Sequence, residues 1–269
     1  MYFDGNVTFK GVTSGDLGII VSSMPKVIHS TVKTTEYDIP LRDGIQYSKF
    51  RNRTDAQVTV KFAIVEDSNS DYVDVLRATR QWLSGTGNLI LDNNPDVYYV
   101  VKKVEITDET SYTLTSAEIE ATFTIEPFEY LLTDTVIERT IAYNSDPITV
   151  EISNDGDLCR PIIMIKNNTQ MLGKYGAKIK VDSGDYATIE YMAGTEPASI
   201  EAYCDSNLMY TYSVNNGVKS NSESHFSHNY EDLWIPNGTH TITIAKSSPS
   251  MIGNTSTKVE ISLRKGYAL

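Results

Sequence analysis

AEIEATFTIEP, residues 117–127, is the stretch from which the fold is read. Ile119, Ala121, Phe123 and Ile125 fall on one side of an extended chain, and Glu118, Glu120, Thr122 and Thr124 fall on the other. A period of two with one apolar side marks a half-buried strand. AQVTVKFAIV (56–65) repeats the pattern, with Val58, Val60, Phe62 and Ile64 against Gln57, Thr59 and Lys61. YYVVKKVEI (98–106) is extended but less regular. Between the first two strands the period changes. Tyr72, Val75, Leu76, Thr79, Trp82 and Leu83 recur at helical spacing and predict a helix from about Asp71 to Leu83 that covers the sheet. Ser70 is the expected N-cap, Asp71 and Asp74 lie near the positive end of the dipole, and Ser84-Gly85 supplies the stop. NLILD, the turn DNNPD and DVYYVVKKV then read as strand–turn–strand.

This α+β pattern ends near residues 128–146, where PFEYLL closes the last Glu-fringed strand. The domains are therefore expected at 1–134 and 135–269. The second half offers no helix of useful length. It shows short strands instead: ITVEIS, PIIMIK, AKIKVD, YATIEY, HTITIA and KVEISLR. Asp182-Ser183-Gly184-Asp185 joins two of them as a hairpin, and the spacing argues a β-sandwich. The Ser/Asn-rich stretch NNGVKSNSESHFSHNYED (215–232) reads as a long exposed loop. The fold class is thus mainly β with one helix, and the 17 Tyr in the chain suit it, because aromatic side chains fit a pleated surface.

Charge excludes several classes of function. The net charge is −12, with no basic block in either half to condense on phosphates or on an anionic membrane. MYFDGNVTFKG at the start has neither a basic nor an apolar region of signal-peptide type, and runs such as LGIIV and PIIMI are far too short to span a membrane. Synthesis in a cytoplasm is therefore expected. Cys159 and Cys204 make no disulfide framework and are expected as reduced thiols.

Candidate chemistry is sparse. His225 and His228, with Cys204 or Glu231, supply at most the beginnings of a metal site, while His29 and His240 have no ligand-like neighbours in sequence. There is no G-x-S-x-G, and GTGN lacks both the Lys and the helix of a phosphate loop. Asp92/Asp96 and Glu118/Glu120 are the carboxylate pairs available for hydrolysis. The first brackets a turn and the second follows the outer side of a strand, as Asp and Glu ordinarily do there. No catalytic, cofactor or metal residues are expected, and the protein is expected not to be an enzyme. Tyr191, Tyr203, Tyr210, Tyr212 and Trp234 offer rings on which sugars stack, so a carbohydrate-binding module is the alternative.

Four motifs in order carry a resemblance: FKGVTSGDLGIIV (9–21), YDIPLRDGIQY (37–47), RQWLSGTGNLILDNNPDVYYVVKKV (80–104) and ATFTIEPFEYL (121–131). The first half resembles the distal tail proteins of long-tailed bacteriophages, the siphovirus tail-tip family. Leu41 stands where that family usually has Gly. ISNDGDLCRPIIMIKNN (152–168), CDSNLMYTY (204–212) and WIPNGTHTITI (234–244) resemble the family's C-terminal galectin-like β-sandwich. The galectin sugar motif itself is absent. The resemblance implies a ring-forming first domain, related to the β-sandwich or split barrel of phage tail tubes, that closes a hexamer around a DNA channel. It implies a structural hub at the virion tail tip, assembled in the bacterial host. The tail tube is then on one side, a tail-associated fibre or lysin protein on the other, and receptor-binding proteins at the rim. Free strand edges in the first half need such closure, and an acidic lumen would let DNA pass without holding it. Arg42, Asp43 and Gly44 become a turn-positioning or inter-subunit feature of the ring domain.

Overall fold

The computed structural model describes residues 5–37, 46–142, 145–167, 173–193, 200–207, 209–215, 217–220, 224–227, 229–247 and 256–269. The chain divides into two compact units, Met1–Leu132 with Ala268–Leu269, and Thr133–Tyr267. Strands of the first unit are β1 Val7–Phe9, β2 Val12–Thr13, β3 Ile20–Val21, β4 Lys26–Ile28 and β5 Val32–Tyr37. They continue with β6 Gln46–Arg53, β7 Ala56–Val65, β8 Gly87–Leu91, β9 Asn94–Thr113 and β10 Ser116–Leu131. One α-helix stands among the described residues, α1 Asn69–Trp82, between β7 and β8.

The main sheet of this unit runs β7–β10–β9–β8–β1–β2, and β3 and β4 both pair with the far edge of β7. All these pairs are antiparallel. In β7, and in β10 as far as Ile125, every second residue is buried, and the register sets Ile119 against Phe62 and Phe123 against Val58. The alternation read from the sequence is therefore the alternation of the sheet. The buried side meets α1 through Tyr72, Leu76, Thr79 and Trp82. Trp82 packs edge-on against Phe9 and Phe62 and donates its Nε1–H to the Phe9 carbonyl at 3.0 Å. Burying an indole without that acceptor would be costly, so the Phe9 strand and the helix end fix each other.

Two local expectations are corrected. The helix N-cap is Ser68, whose Oγ accepts the Asp71 N–H at 3.2 Å from an extended backbone. Ser70 lies inside the first turn and only shares a hydroxyl contact with Ser68. The turn after β8 is shorter than DNNPD. Leu91 pairs with Asn94, so only Asp92 and Asn93 lie between them, and Pro95 sits at the start of β9, where a missing N–H costs no central ladder bond. β5 and β6 form a separate antiparallel pair, with Tyr37 opposite Gln46. Arg42, Asp43 and Gly44 lie in the connection between them, outside the described residues.

Strands of the second unit are β11 Thr135–Ile141, β12 Ile148–Cys159, β13 Ile162–Asn167, β14 Gly173–Val181 and β15 Ala187–Ala193. They continue with β16 Ile200–Asp205, β17 Tyr210–Asn215, β18 Val218–Ser220 and β19 Ser224–Ser227. The last are β20 Ile235–Lys246, β21 Thr257–Leu263 and β22 Lys265–Ala268. One sheet runs β19–β15–β14–β20–β12–β22 and the other β11–β21–β13–β16–β17–β18. Ile179, Ile189, Ile242 and Ile244 of the first share one buried core with Ile163, Ile165, Val259 and Ile261 of the second. That is a β-sandwich. Asp182 (φ 51) turns the chain from β14 into β15, as the hairpin signal predicts.

Residues 215–232 are a correction. The expected loop contains β18 and β19 and a short 3-10 turn at Tyr230–Leu233. Ile189 of β15 pairs with Phe226, and the Phe226 and Tyr230 rings stack 4.3 Å apart against the core. Ser and Asn dominate this edge, so its period was hidden by polar residues while its two aromatic anchors carry the packing.

Candidate functional site

The broadest built surface of the first unit is the side of its sheet opposite α1. Alternation places Gln57, Thr59, Lys61 and Ala63 of β7 there, with Glu118, Glu120, Thr122 and Thr124 of β10. From β9 the register adds Lys103, Glu105, Asp108 and Thr110. Lys61 Nζ stands 3.6 Å from Glu118 and 3.2 Å from Glu120. Those two carboxylates hold its ammonium, and its pKa lies above the ordinary lysine value. The Thr59 and Thr122 hydroxyls meet at 3.3 Å, Thr107 donates to Glu120, and Lys103 pairs with Glu105 at 2.6 Å. With Lys26 of β4, which the register sets opposite Thr59, three cations face four carboxylates, so the surface is net acidic. Carboxylates outnumber ammonium groups on it, which disfavours phosphate binding. Glu118 and Glu120 thus take the outer-side role read from their spacing.

Asp92 lies in the β8–β9 turn and Asp96 in β9. Asp92 Oδ2 accepts the Asn6 N–H at 2.7 Å, and the Asp96 carbonyl accepts the Leu132 N–H at 2.9 Å. Among the described residues no three His, Cys, Asp or Glu side chains converge to hold a metal. His228 and the His225 side chain lie outside the described residues. Cys159 and Cys204 are both free and buried, and burial pushes the Cys159 thiol up to about 12 and the Cys204 thiol up as well. Neither is an accessible thiolate for metal or nucleophilic chemistry. No described helix is long and apolar enough to cross a membrane.

The aromatic residues of the second unit are brought together in a way the sequence did not show. Tyr203 and Tyr212 sit opposite each other on β16 and β17 and stack in parallel, 4.9 Å between centroids. Tyr210 leans on Tyr212 at 5.3 Å. Lys219 reaches back from β18, its Nζ 3.8 Å from the Tyr212 ring centre and hydrogen-bonded to the Tyr210 hydroxyl. Because β17 lies between β16 and β18, Tyr203 and Lys219 approach Tyr212 from opposite sides. Burial, with the neighbouring Glu201 carboxylate, raises the Tyr203 phenol, which donates to Glu201 at 2.8 Å. Trp234 is capped by the Arg160 guanidinium at 4.9 Å and donates to the Ser206 carbonyl. Each of these rings stacks on or is capped by a neighbour, which removes ring area a sugar would need. The Tyr191 side chain is outside the described residues.

His240 corrects an expectation. Its Nδ1 lies 2.7 Å from Asp182 Oδ2 and its Nε2 3.4 Å from the Asn237 carbonyl. The carboxylate raises the His240 pKa above its ordinary value, and the ring in turn lowers that of Asp182. The partners are 58 residues apart, so spacing gave no signal. Asn154 is a second buried anchor. Its Nδ2 donates to the Ile235 and Pro236 carbonyls and its Oδ1 accepts the Gly156 N–H, spanning the bulge between β12 and β20. A Cβ on Gly156 would lie 2.8 Å from the Gly266 carbonyl oxygen.

No family model matches the chain, and no curated protein matches it in sequence. Solved structures do match it in fold. The fold is that of the hub proteins of phage adsorption apparatus. The Dit protein (gp 19.1) of phage SPP1, a paradigm of such hubs in phages infecting Gram-positive hosts, matches with TM-score 0.54 at 11% identity. The match covers 97% of this chain and 99% of that one. A chain of the phage p2 baseplate, in its activated conformation with Sr, gives TM-score 0.52 at 10% identity over 96% and 91%.

Proposed function

We propose that this protein is a structural component of a bacteriophage tail tip. It acts as a hub whose first unit closes a hexameric ring around the channel through which DNA leaves. The tail tube protein meets one side of the ring and a tail-associated fibre or lysin protein the other. The second unit, a galectin-like sandwich, offers a platform for receptor-binding proteins. The hub works by shape and contact, without catalysis or a cofactor, and its place is the virion tail tip after assembly in the bacterial host.

The observation that carries this reading is the end-to-end fold match, 97% of this chain on 99% of a phage hub protein. A match of that extent includes both units in one chain order. The acidic sheet surface around Glu118 and Glu120 supports a conduit role, because it repels a polyanion and offers it no grip. Electron microscopy of the purified chain, and of tails decorated with an antibody against it, tests the reading. Six-fold rings with an axial hole and label at the tail tip are expected; label elsewhere on the particle overturns it. The carbohydrate-binding alternative needs bare ring surface, and the stacking of Tyr203 on Tyr212 counts against it. Binding of host wall polysaccharide that is abolished by Tyr212→Ala would restore it.

A further inference from the structure

The two edges of the first-unit sheet are built differently and fit each other. On one edge, β8 pairs with β9 only as far as Val101. From Lys102 to Thr113, roughly 40 Å at the usual strand rise, β9 pairs with β10 on one side and with no described strand on the other. An unpaired edge of this length is a template for another strand. On the opposite edge, β3 meets β7 at Ala63 and Phe62 and β4 meets it at Thr59 to Gln57, leaving a short interrupted border. That border is apolar. Ile20 is 57% exposed, Met24 62% and Ile28 45%, with Val65 of β7 at 65%. The register directs Ile20 and Ile28 to the same side of the sheet as Lys61 and Glu118.

Charge selects the occupant. Lys26 lies between Ile20 and Ile28 on the apolar border, is exposed, and has no anionic partner among the described residues. Asp108 lies on the free β9 edge and contacts only the Thr110 hydroxyl, at 3.4 Å. The other charges of the 102–113 edge are already matched within the chain: Lys102 with Asp55, Lys103 with Glu105, and Glu109 with Arg80. One unmatched cation on one edge and one unmatched anion on the other is a head-to-tail pattern, and a heterologous contact of that kind closes into a ring when its rotation allows.

We propose that the β3–β4 border of one copy receives the free β9 edge of the next copy, with Lys26 facing Asp108. This contact presumes the ring proposed above and names the surfaces that close it. It buries Ile20, Met24 and Ile28, gives β9 its missing partner, and extends one sheet from copy to copy.

The full chain is tested by native mass spectrometry and light scattering over a concentration series, with circular dichroism to confirm folding. Lys26→Asp and Asp108→Lys should each raise the concentration for half assembly by about tenfold or more, because like charges are then juxtaposed. An equimolar mixture of the two variants matches every junction of an alternating ring, and the double reversal Lys26→Asp/Asp108→Lys in one chain matches every junction of a uniform one, so each should restore assembly. Lys26→Cys with Asp108→Cys in one chain should give, under mild oxidation, a covalent ladder ending at the ring. A ring that survives both single reversals and yields no ladder overturns the edge contact and leaves the ring reading standing. A wild-type chain that is monomeric at every concentration, with no ladder, overturns both.

Discussion

On the open side of the first-unit sheet, Lys61 stands between Glu118 and Glu120, while on the outward side of the β11–β18 sheet Tyr203 and Tyr212 lie parallel, 4.9 Å apart. Both are rows of alternate residues projecting from antiparallel strands. The first row stays charged, its ions spaced by threonines, and is held by pairing between opposite charges. The second satisfies itself, ring on ring with Lys219 on the end, and suits a face that needs no ligand to be stable. Outward residues on a strand therefore say little about binding until their neighbours on adjacent strands are known.

If the units rest on separate cores, damage to one should leave the other intact. Phe123→Ala removes a ring packed edge-on against Phe9 at 5.4 Å and should destabilise the first unit by about 3–5 kcal/mol. Each unit holds one tryptophan, Trp82 in the first and Trp234 in the second, so fluorescence in denaturant, read against single-Trp variants, reports the units separately. A matching shift at Trp234 would break the comparison. In the second unit, Asn154→Ala removes the donor to the buried Ile235 carbonyl and to the Pro236 carbonyl and should cost about 1–3 kcal/mol, seen at Trp234 alone.

Smaller effects sharpen the contrast. Ser68→Ala should cost the first unit about 1 kcal/mol and Ser70→Ala much less, since only Ser68 caps the helix. A double-mutant cycle on Tyr203 and Tyr212, each to Ala, should return a coupling of about 0.5–1.5 kcal/mol. Zero coupling would mean that the rings merely sit side by side.

The smallest effect depends on pH. Asp182 raises the His240 pKa, so the stability this pair gives is complete below the unfolded value, about 6.5, and fades as pH rises through the higher folded value. The Asp182 pKa is lowered, so its own contribution is present above the ordinary carboxylate range and is lost only as pH falls through the depressed folded value. The melting temperature of the second unit should therefore decline on the alkaline side of about 6.5, by less than about 1 kcal/mol in stability. His240→Gln should flatten that limb. A wild-type melting temperature that stays flat from about pH 6 to about pH 9 would remove the pair from the stability of this unit.

Much of the fold was legible because the residues that form it repeat at the period of their own element. The alternation of β7 and β10 and the Tyr72–Trp82 stripe announce strand, helix and buried side without any distant information. Legibility failed where several residues compete for one local role, as Ser68 and Ser70 do for the cap, or where an edge strand is written in Ser and Asn, as at 215–232. It failed again for Asp182 and His240, which meet only after β14 and β20 have paired.

The sequence by itself determined which residues face inward, the acidic character of the chain and the absence of any phosphate-loop or nucleophile motif, because each is a property of neighbours along the chain. Only the tertiary structure decided that Glu118 and Glu120 share Lys61, that Tyr203 and Tyr212 use each other's faces, and that one edge of the sheet leaves β9 beyond Val101 without a described partner while the other is an apolar border. Those are relations between strands, set by register and sheet order, and register is fixed by how the whole apolar set is buried at once.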